Sequence, residues 1–268
     1  IYISNSSKLA IKNSQLSIIS LDDDRKITVP IEDIASIVLE SRKSVITTRL
    51  LSECAENGIG VITIGENHHP NGVLCPFASH SRSLKIMRLQ IELSIPKQKR
   101  LWQAIIKRKI SNQASCLKLL GLNGGSKLEH MSKLVKSGDS GKLEAPAARV
   151  YFKELFGKDF KRKSLCWTNS AMNYGYAIIR ATIARNLASY GFIPALGVGH
   201  NNEQNPFNLA DDWLEVYRPF IDFHVAQRKT ADNEELTTND KTWLVSLLGE
   251  DIEIGNGARS LYSAIKLT

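Results

Sequence analysis

The sequence lacks the features that mark several large classes of protein. No run of residues approaches the roughly 18 apolar residues that a membrane-spanning helix needs, and no secretory signal is recognisable. Only four cysteines occur among the 268 residues, and no two of them form a Cys-x-x-Cys pair. Scattered cysteines are typical of reduced, buried thiols and argue against a disulfide scaffold or a zinc ribbon. We therefore expect a cytoplasmic protein that does not enter a membrane.

Motifs of several common enzyme families are absent as well. We find no P-loop, dinucleotide-binding fingerprint, nucleophile elbow or internal repeat. The chain does contain enough apolar material for one large or two smaller domains, since 43% of its residues are hydrophobic. Its 35 Lys and Arg residues outnumber 27 Asp and Glu, which gives a formal net charge of +8. This excess favours a polyanionic partner, and nucleic acid before a membrane surface.

The first quarter of the chain has the periodicity of β-strands. Short alternating or apolar runs follow one another over residues 1–64, with turn signals at Lys12–Ser14 and Asp22–Asp24. A single helical pattern over Thr47–Glu56 interrupts them and ends at an Asn-Gly pair. We predict a β-rich domain over residues 1–66, β-sandwich-like with one helix packed on it.

Residues 67–82 have little periodicity and are rich in turn-forming residues, which predicts a linker with a hairpin around Pro70–Leu74. Four potential zinc ligands cluster in this segment: His68, His69, Cys75 and His80. Their spacing matches no known zinc motif, so a polar linker is the simpler interpretation. Beyond it, nearly all of residues 83–268 has helical periodicity. We predict a larger all-α domain there, and hence an α+β protein.

The longest helical pattern, over Lys97–Leu120, is basic. Pro96 precedes it at a position where a helix tolerates proline. The cations of this helix are Lys97, Lys99, Arg100, Lys107, Arg108, Lys109 and Lys118. Such a run forms either a solvated charged face or a surface for nucleic acid. For the second interpretation the candidate DNA contacts are Lys97, Arg100, Lys107 and Arg108.

A second long helix is predicted over Ala171–Tyr190, where small residues recur at close spacing. Gly191 and Pro194 follow it, as they often follow helices. This pattern is typical of a central core helix. Asn173, near its start, faces either the core or a site.

The span 197–219 concentrates side chains that can do chemistry. His200 lies in a Gly- and Asn-rich loop, and Asp211, Asp212 and Glu215 follow on a predicted helix. Residues three or four apart share a helical face, so Glu215 can point the same way as either Asp. A His and carboxylates at such a junction bind a divalent metal, act as acid and base, or cap and solvate the helix.

The pattern of this helix leads to three further predictions. Asn208 is expected to cap its start. The apolar stripe consists of Leu209, Trp213, Val216 and Phe220. This stripe leaves Asp212 and Glu215 on polar faces. Pro219 is expected to kink the helix or to restart it.

Glu144 is a third candidate acid, at the start of a helix predicted to run to Phe156. Together, Glu144, His200 and Glu215 would form a mixed oxygen and nitrogen site that suits Mg²⁺ or Mn²⁺. On a basic protein, such a site is a usual means of phosphodiester chemistry. Taken singly, each residue is more simply explained as a helix-dipole partner, a solvated acid or a hydrogen-bonded His. The residues alone leave both interpretations open.

Four motifs occur in a fixed order between residues 144 and 219. They are E-x-x-A-A-R-x-Y-F over 144–152, N-x-A-M-N-Y-G-Y-A over 169–177, P-A-L-G-x-G-H over 194–200 and F-N-L-A-x-D-x-x-E-x-x-R-P over 207–219. These motifs resemble the Cas1 (Cas-one) family, the CRISPR-associated integrases of spacer acquisition. The two-domain plan is similar too, so the resemblance spans most of the chain. The short length and the N-x-x-N-P-F-N-L-A stretch look most like the type II form, encoded beside a single RNA-guided effector nuclease.

The resemblance implies a metal-dependent DNA endonuclease and integrase of CRISPR adaptation, which inserts short foreign DNA (spacers) into the CRISPR array by 3′-hydroxyl transesterification. The implied partners are double-stranded DNA (the prespacer and the leader–repeat) and a second copy, in a homodimer joined through the β-rich domain. A small ferredoxin-like CRISPR-associated protein completes a heterohexamer. The effector nuclease and other adaptation proteins are further candidate partners.

The resemblance also assigns roles to residues. It makes Glu144, His200 and Glu215 the catalytic residues and metal ligands, with Mg²⁺ or Mn²⁺ as the cofactor. Asp212 matches an acid close to the metal, in a supporting role. The other supporting candidates are Arg149, Arg218 and Asn173. The two arginines pair either with a carboxylate of the site or with a phosphate.

Two rival interpretations stay open. A stand-alone metal-dependent DNase, or a mobile-element integrase outside CRISPR, would use the same residues. A non-catalytic DNA-binding scaffold would need only the basic surface. The complete set of Glu144, His200 and Glu215 argues against the scaffold.

Overall fold

The structure, a computed structural model, describes residues 1–66, 70–74, 81–228, 235–254 and 257–267. The chain forms two compact units. The first contains Ile1–Ile86, Ala181–Phe192 and Thr237–Thr268, and the second contains Met87–Arg180 and Ile193–Leu236. In this division, two segments of the C-terminal part group with the strand-rich N-terminal part. The limits at residues 66 and 83 stay a prediction.

The first unit contains two four-stranded sheets. Its strands are β1 (Tyr2–Ile3), β2 (Ser7–Lys12), β3 (Gln15–Ser20), β4 (Lys26–Pro30), β5 (Ser36–Leu39), β6 (Val45–Ile46), β7 (Gly60–Ile64) and β8 (Pro70–Val73). One sheet has the order β1-β5-β7-β8 and the other the order β4-β3-β2-β6. The sequence pattern predicts these strands except β6.

The hairpin of β2 and β3 shows how sequence dictates this unit. Strand β2 buries alternate residues, with Leu9 and Ile11 inward. Asn13 and Ser14 then adopt φ angles of 50° and 56°. Two successive left-handed residues form the tight turn whose twist suits an antiparallel pair, and β2 and β3 pair from one end to the other.

A single hydrophobic core joins both sheets to helix α1 (Thr48–Glu56). Leu9 of one sheet and Ile37 of the other belong to it, together with Leu50 and Cys54 of α1. Burial raises the pKa of the Cys54 thiol to about 11, so this cysteine is the unreactive kind that the sequence predicts. The shared core supports the sandwich-like description of the N-terminal region.

The segment predicted as a linker contributes β8, which pairs antiparallel with β7. Ile62 lies opposite Val73 in this pair. Residues Pro70–Val73 therefore form one strand of this sheet, and the prediction of a hairpin around Pro70–Leu74 is wrong. The residues considered above as zinc ligands lie outside the described residues: His68, His69, Cys75 and His80.

The second unit is helical. The helices that follow the strands are α2 (Ser83–Ile91), α3 (Ile95–Leu119), α4 (Gly125–Leu134), α5 (Glu144–Phe156), α6 (Trp167–Ser189) and α7 (Asn208–Gln227). The division between the two units falls within α2 and within α6. Helix α3 packs against α4, α5 and α7. Ile106, Ile110 and Leu117 of α3 meet Tyr151 of α5 in a common core. Helix α3 therefore lies between the elements that carry the predicted site residues.

Helix α7 buries different residues from those predicted. Asp212 and Glu215 are 0% and 4% exposed, whereas the predicted stripe residues Trp213, Val216 and Phe220 are only half-buried. The prediction of two acids on solvated polar faces is wrong. Both acids are buried because they have charged or hydrogen-bonding partners.

Helix α7 also continues through Pro219 instead of restarting there. Proline has no N–H, so the carbonyl of Glu215 loses its helical donor at this point. The next carbonyl, that of Val216, accepts a hydrogen bond of 2.8 Å from the Asn112 side chain of α3. The hydrogen bond from α3 thus stabilises α7 next to the point where Pro219 interrupts its backbone hydrogen bonds.

The C-terminal segment belongs to the first unit. Helix α8 (Thr238–Ser246) begins with a capping box between Thr237 and Asp240. Strands β9 (Asp251–Ile254) and β10 (Gly257–Ser260) form an antiparallel hairpin, and helix α9 (Leu261–Leu267) follows. The hairpin is not predicted, because its strands are short. Among the described residues, no helix combines the length and hydrophobicity required to cross a membrane.

Candidate metal centre

Helix α5 is capped by a side chain other than Glu144. Asp139 accepts hydrogen bonds from the N–H groups of Leu143 and Glu144, at 2.9 and 3.1 Å. Gly138 and Asp139 adopt positive φ angles of 66° and 48°, which turn the chain into this position. Because Asp139 satisfies these free N–H groups, the Glu144 carboxylate is not needed for capping.

Two of the predicted ligands share one cation. Nζ of Lys109 lies 2.6 Å from Oε1 of Glu144 and 2.5 Å from Oε2 of Glu215. The Lys109 and Glu215 side chains are 10% and 6% exposed, and that of Glu144 is 34% exposed. The acids lie on α5 and α7, and α3 places the ammonium between them. The structure therefore brings Glu144 and Glu215 together around a positive charge.

Glu215 has a second cation on its other oxygen. Nε of Arg218 donates to Oε1 at 3.0 Å, and its guanidinium lies over the Tyr176 ring, 4.6 Å from the ring centroid. Burial opposes ionisation of Glu215, but the charges of Arg218 and Lys109 outweigh it and lower the pKa. The buried Oε2 lies beside the Lys109 ammonium, which contributes to the lowered pKa. An ionised carboxylate oxygen is a hard ligand of the kind that Mg²⁺ and Mn²⁺ prefer.

Asp212 holds His200 and its loop in place. The fully buried Asp212 carboxylate accepts hydrogen bonds from the N–H groups of Val198, Gly199 and His200, at 2.5, 3.1 and 2.9 Å. Its Oδ1 also lies 2.8 Å from Nδ1 of the His200 ring. This hydrogen bond raises the pKa of His200, against the effect of burial. With Nδ1–H donated to the carboxylate, Nε2 is the ring nitrogen left for a ligand.

Two glycines allow the loop to approach its neighbours closely. A Cβ at Gly199 would overlap the ring of Trp102, and one at Gly197 would overlap the carbonyl oxygen of His200. Trp102, on α3, meets the His200 ring edge-on, with 5.6 Å between the ring centroids. The position of His200 therefore depends on the absence of side chains at 197 and 199.

Asn208 organises this loop instead of capping α7. Its Nδ2 donates to the carbonyl oxygens of Ala195, Asn202 and Asn205, and its Oδ1 accepts from the Asn202 N–H. The start of α7 has no hydrogen bond from a side-chain cap. The predicted capping role is wrong because the loop folds back around the buried amide. Hydrogen bonds of the Asn208 side chain thus hold together the loop that carries His200.

A second polar cluster adjoins Arg218. The Tyr176 hydroxyl donates a hydrogen bond to the buried Asp222. Burial raises the pKa of Asp222 to about 6. Arg162 lies over the Tyr176 ring and donates to Oδ1 of Asn173 at 2.7 Å. Asn173, predicted as a supporting residue, is therefore connected to Glu215 through Arg162, Tyr176 and Arg218 in the described part of the chain.

The remaining predicted residues stand apart from these contacts. Arg149 is exposed on α5, and the cation at Glu144 is Lys109 instead. On α3, Lys97, Arg100 and Arg108 are exposed and Lys107 is half-buried. An open pocket of about 370 Å³ is lined by Leu93, Lys97, Arg100 and Leu101.

Lys109 is a residue of the candidate site that the sequence pattern did not single out. The basic run on α3 groups it with exposed cations, but it is buried between two acids. A signal was present in the sequence. Lys109 is three residues after Ile106 and four before Gln113, so it shares the buried face of the helix.

The donor set fits Mg²⁺ or Mn²⁺. Two carboxylates supply hard oxygen ligands, and an oriented imidazole supplies one nitrogen. The charges of His200 and Glu215 are close enough to affect each other's pKa. Among the described residues, no three acid, His or Cys side chains are already grouped tightly enough to hold a metal. Lys109 provides the positive charge between the acids in this arrangement.

Known proteins share both the sequence and the fold of this chain. The family model described as CRISPR associated protein Cas1 matches residues 1–247. A CRISPR-associated endonuclease Cas1 of Neisseria meningitidis is 42% identical over 266 residues, which cover 98% of this chain and 87% of the relative.

Solved structures agree in fold. A casposase bound to its integration product matches with a TM-score of 0.79 and 16% identity, covering 100% of this chain and 87% of that one. A Cas1 protein of Thermotoga maritima matches with a TM-score of 0.77 and 17% identity, covering 100% and 93%. This likeness confirms the predicted class, a strand-rich N-terminal region followed by a larger helical part.

Proposed function

The chain belongs to the Cas1 family of CRISPR-associated proteins, and from this premise we propose that it is a metal-dependent DNA endonuclease and integrase of CRISPR adaptation. It would insert short foreign DNA into a CRISPR array, in the type II form that its Asn-rich loop motif resembles. The identity to a relative named as an endonuclease supports the nuclease activity.

One observation carries this proposal. Glu144 and Glu215 lie on two different helices, and both contact the Lys109 ammonium. Asp212 holds the His200 ring in place, and the charge of His200 helps to lower the pKa of Glu215. A DNA-binding scaffold has no need of two buried or half-buried acids around one positive charge. A site that binds a divalent cation does, because each carboxylate would otherwise repel the other.

The residues act on the substrate through position and charge. Asp212 keeps the His200 ring in the tautomer that leaves Nε2 for a ligand, and the charge of Arg218, whose guanidinium lies over the Tyr176 ring, favours the ionised form of Glu215. Mg²⁺ or Mn²⁺, bound by Glu144, His200 and Glu215, would polarise the scissile phosphate and stabilise the leaving 3′ oxyanion. The 3′-hydroxyl of the incoming strand attacks in line, so no covalent bond to the protein is required.

The partners follow from the same proposal. The positive charge of the chain favours double-stranded DNA, both the prespacer and the leader–repeat. We propose a homodimer joined through the strand-rich region, and a heterohexamer with a small ferredoxin-like CRISPR-associated protein. The proposed location is the cytoplasm of a prokaryote.

The test is a strand-transfer assay. The protein is incubated with a short 3′-hydroxyl duplex, a repeat-bearing plasmid, Mn²⁺ and the small partner protein, and joined products are counted. We expect Glu144→Gln, His200→Ala and Glu215→Gln each to lower joining by at least about 100-fold while the fold is kept. Glu203→Gln, an exposed acid in the His200 loop, is the matched control and should join at the normal rate.

The outcomes separate the alternatives. Cutting without joining would indicate a stand-alone nuclease. Metal-independent DNA binding with neither cutting nor joining would indicate a scaffold. Normal joining by the His200→Ala protein would show that the ligand assignment is wrong.

A further inference from the structure

The position of Lys109 is unusual for a residue of a basic helix. Its ammonium is buried on the core-facing side of α3, between two acids of other helices. A lysine that contacted DNA would need its ammonium at the surface. Lys109 therefore serves the acids and not the phosphate backbone.

The two acids need a positive charge between them. Glu215 is almost completely buried, and its second oxygen already pairs with Arg218. Among the described residues, the Lys109 ammonium links Glu144 to this pair and is within 2.6 Å of both acids. Without a cation at this point, one of the two carboxylates would face an uncompensated negative charge at low dielectric.

The ammonium occupies the oxygens that a metal would use. Oε1 of Glu144 and Oε2 of Glu215 point at Nζ. A divalent ion bound to the same oxygens would lie within contact distance of a positive ammonium, and like charges repel strongly in a buried site. The lysine and the metal cannot both hold these two oxygens.

We propose that Lys109 is a built-in counter-ion, which holds Glu144 and Glu215 together in the metal-free protein and is displaced when the metal binds. The inference rests on the proposed function, because it takes both acids as metal ligands. Lys109 is then a positioning residue that sets the affinity for the metal. The observed free energy of metal binding is therefore less favourable by the cost of separating the ammonium from its two partners.

The test measures Mn²⁺ binding, from the electron paramagnetic resonance signal of free Mn²⁺, with the full chain. Lys109→Met keeps a long unbranched side chain but removes the competing charge. We expect this variant to bind Mn²⁺ at least about tenfold more tightly than the wild type. It should also be less stable than the wild type without metal, with the difference shrinking as Mn²⁺ is added.

The chain offers a matched control. Lys241 pairs with Glu40 at 2.6 Å, and these side chains are 8% and 12% exposed, against 10% and 6% for Lys109 and Glu215. Lys241→Met should lower stability by the same amount with and without Mn²⁺, and should leave the Mn²⁺ affinity unchanged. A purely structural role for Lys109 would give the same behaviour as this control.

A second measurement uses the wild type, so it does not depend on whether Lys109→Met folds. The protein is treated with an acetylating reagent, with and without Mn²⁺, and modification of Lys109 is followed by mass spectrometry. We expect Mn²⁺ to speed the modification, because it releases the ammonium from its two partners. Unchanged or slower modification would contradict the displacement.

The outcomes also distinguish this inference from the proposed function. Binding of Mn²⁺ by the wild type that is lost in Glu144→Gln, with no gain in Lys109→Met, would overturn the role of Lys109 and leave the metal site standing. If neither the wild type nor Lys109→Met binds Mn²⁺, both the inference and the proposed metal site are wrong.

Discussion

Single carboxyl groups in the helical unit show how burial and neighbouring charge compete. Glu215 and Asp222 lie on the same helix, and both are buried. Glu215 has Arg218 and Lys109 within contact distance, and its pKa is lowered. Asp222 is bonded to the uncharged hydroxyl of Tyr176, and burial raises its pKa to about 6. The contacting partner therefore decides which of the two acids is ionised most readily.

The raised pKa of Asp222 predicts a specific dependence of stability on pH. Its pKa is about 6 in the folded protein against 3.8 for the free side chain, so its stabilising effect is complete below 3.8 and is lost as pH rises through 6. The wild type should lose about 3 kcal/mol of unfolding free energy from this group between about pH 4 and pH 7. Asp222→Asn keeps an acceptor for Tyr176 and should lack this loss.

Urea denaturation at a series of pH values measures this difference. Asp159→Asn, at an exposed position, is the control and should give a curve parallel to that of the wild type. A parallel curve for Asp222→Asn as well would show that the group does not titrate as described.

Helix α5 illustrates how one element positions a candidate ligand, Glu144, at its first turn. Its N-terminal N–H groups are satisfied by Asp139, from the preceding turn. Glu144 is the first residue of the helix, so any fraying there moves its carboxylate away from Lys109. The contact between Glu144 and Lys109 is therefore expected to depend on the Asp139 cap.

Removal of this cap should therefore affect both stability and function. Asp139→Ala is expected to lower the unfolding free energy by about 1–2 kcal/mol and to weaken both Mn²⁺ binding and strand transfer. Thr237→Ala removes the capping box of α8 and is the matched control. It should cost a similar amount of stability and leave Mn²⁺ binding unchanged. Equal effects of the two variants on metal binding would contradict the link.

Element positions were largely predictable from the sequence, but burial was not. Alternation of apolar residues locates the strands of the first unit, and Pro96 marks the start of α3. Periodicity also shows which residues of α7 share a face, yet not which face another helix covers. Asp212 and Glu215 are polar, so they were placed outside, whereas their partners Lys109 and His200 make burial possible.

The candidate site was predictable only as far as its motifs reach. Glu144, His200 and Glu215 stand in recognisable local patterns. Asp139 and Lys109 act across turns and between helices, where no local pattern reports the contact. Physical reasoning from one sequence has no access to pairings of that kind before the fold is known.

The molecule as a whole carries an excess of positive charge, part of which is exposed on α3. Lys97 and Arg100 are exposed, and both line the open pocket described above. If they contact phosphates, each contributes to the salt dependence of DNA binding through counterion release.

Substitution of Lys97 and Arg100 should lower the salt dependence of DNA binding by an amount set by the number of charges removed. Lys97→Ala with Arg100→Ala should weaken duplex binding at low salt and reduce the slope of log Kd against log salt by about 2. Lys12→Ala with Lys26→Ala removes the same charge from exposed positions on the strand-rich unit and is the control. Fluorescence anisotropy with a short duplex at several salt concentrations measures both. Identical slopes for the two pairs would rule out a specific role for this part of α3.

The close approach of Gly199 to Trp102 also constrains how the protein can change over generations. Every single-base change that replaces glycine introduces a Cβ, and a Cβ at this position overlaps the indole. The smaller residues that lie one base away from the tryptophan codon would relieve the overlap but remove the edge-on contact with His200. A substitution at either position is therefore expected to disturb the packing around His200 unless the other position changes with it.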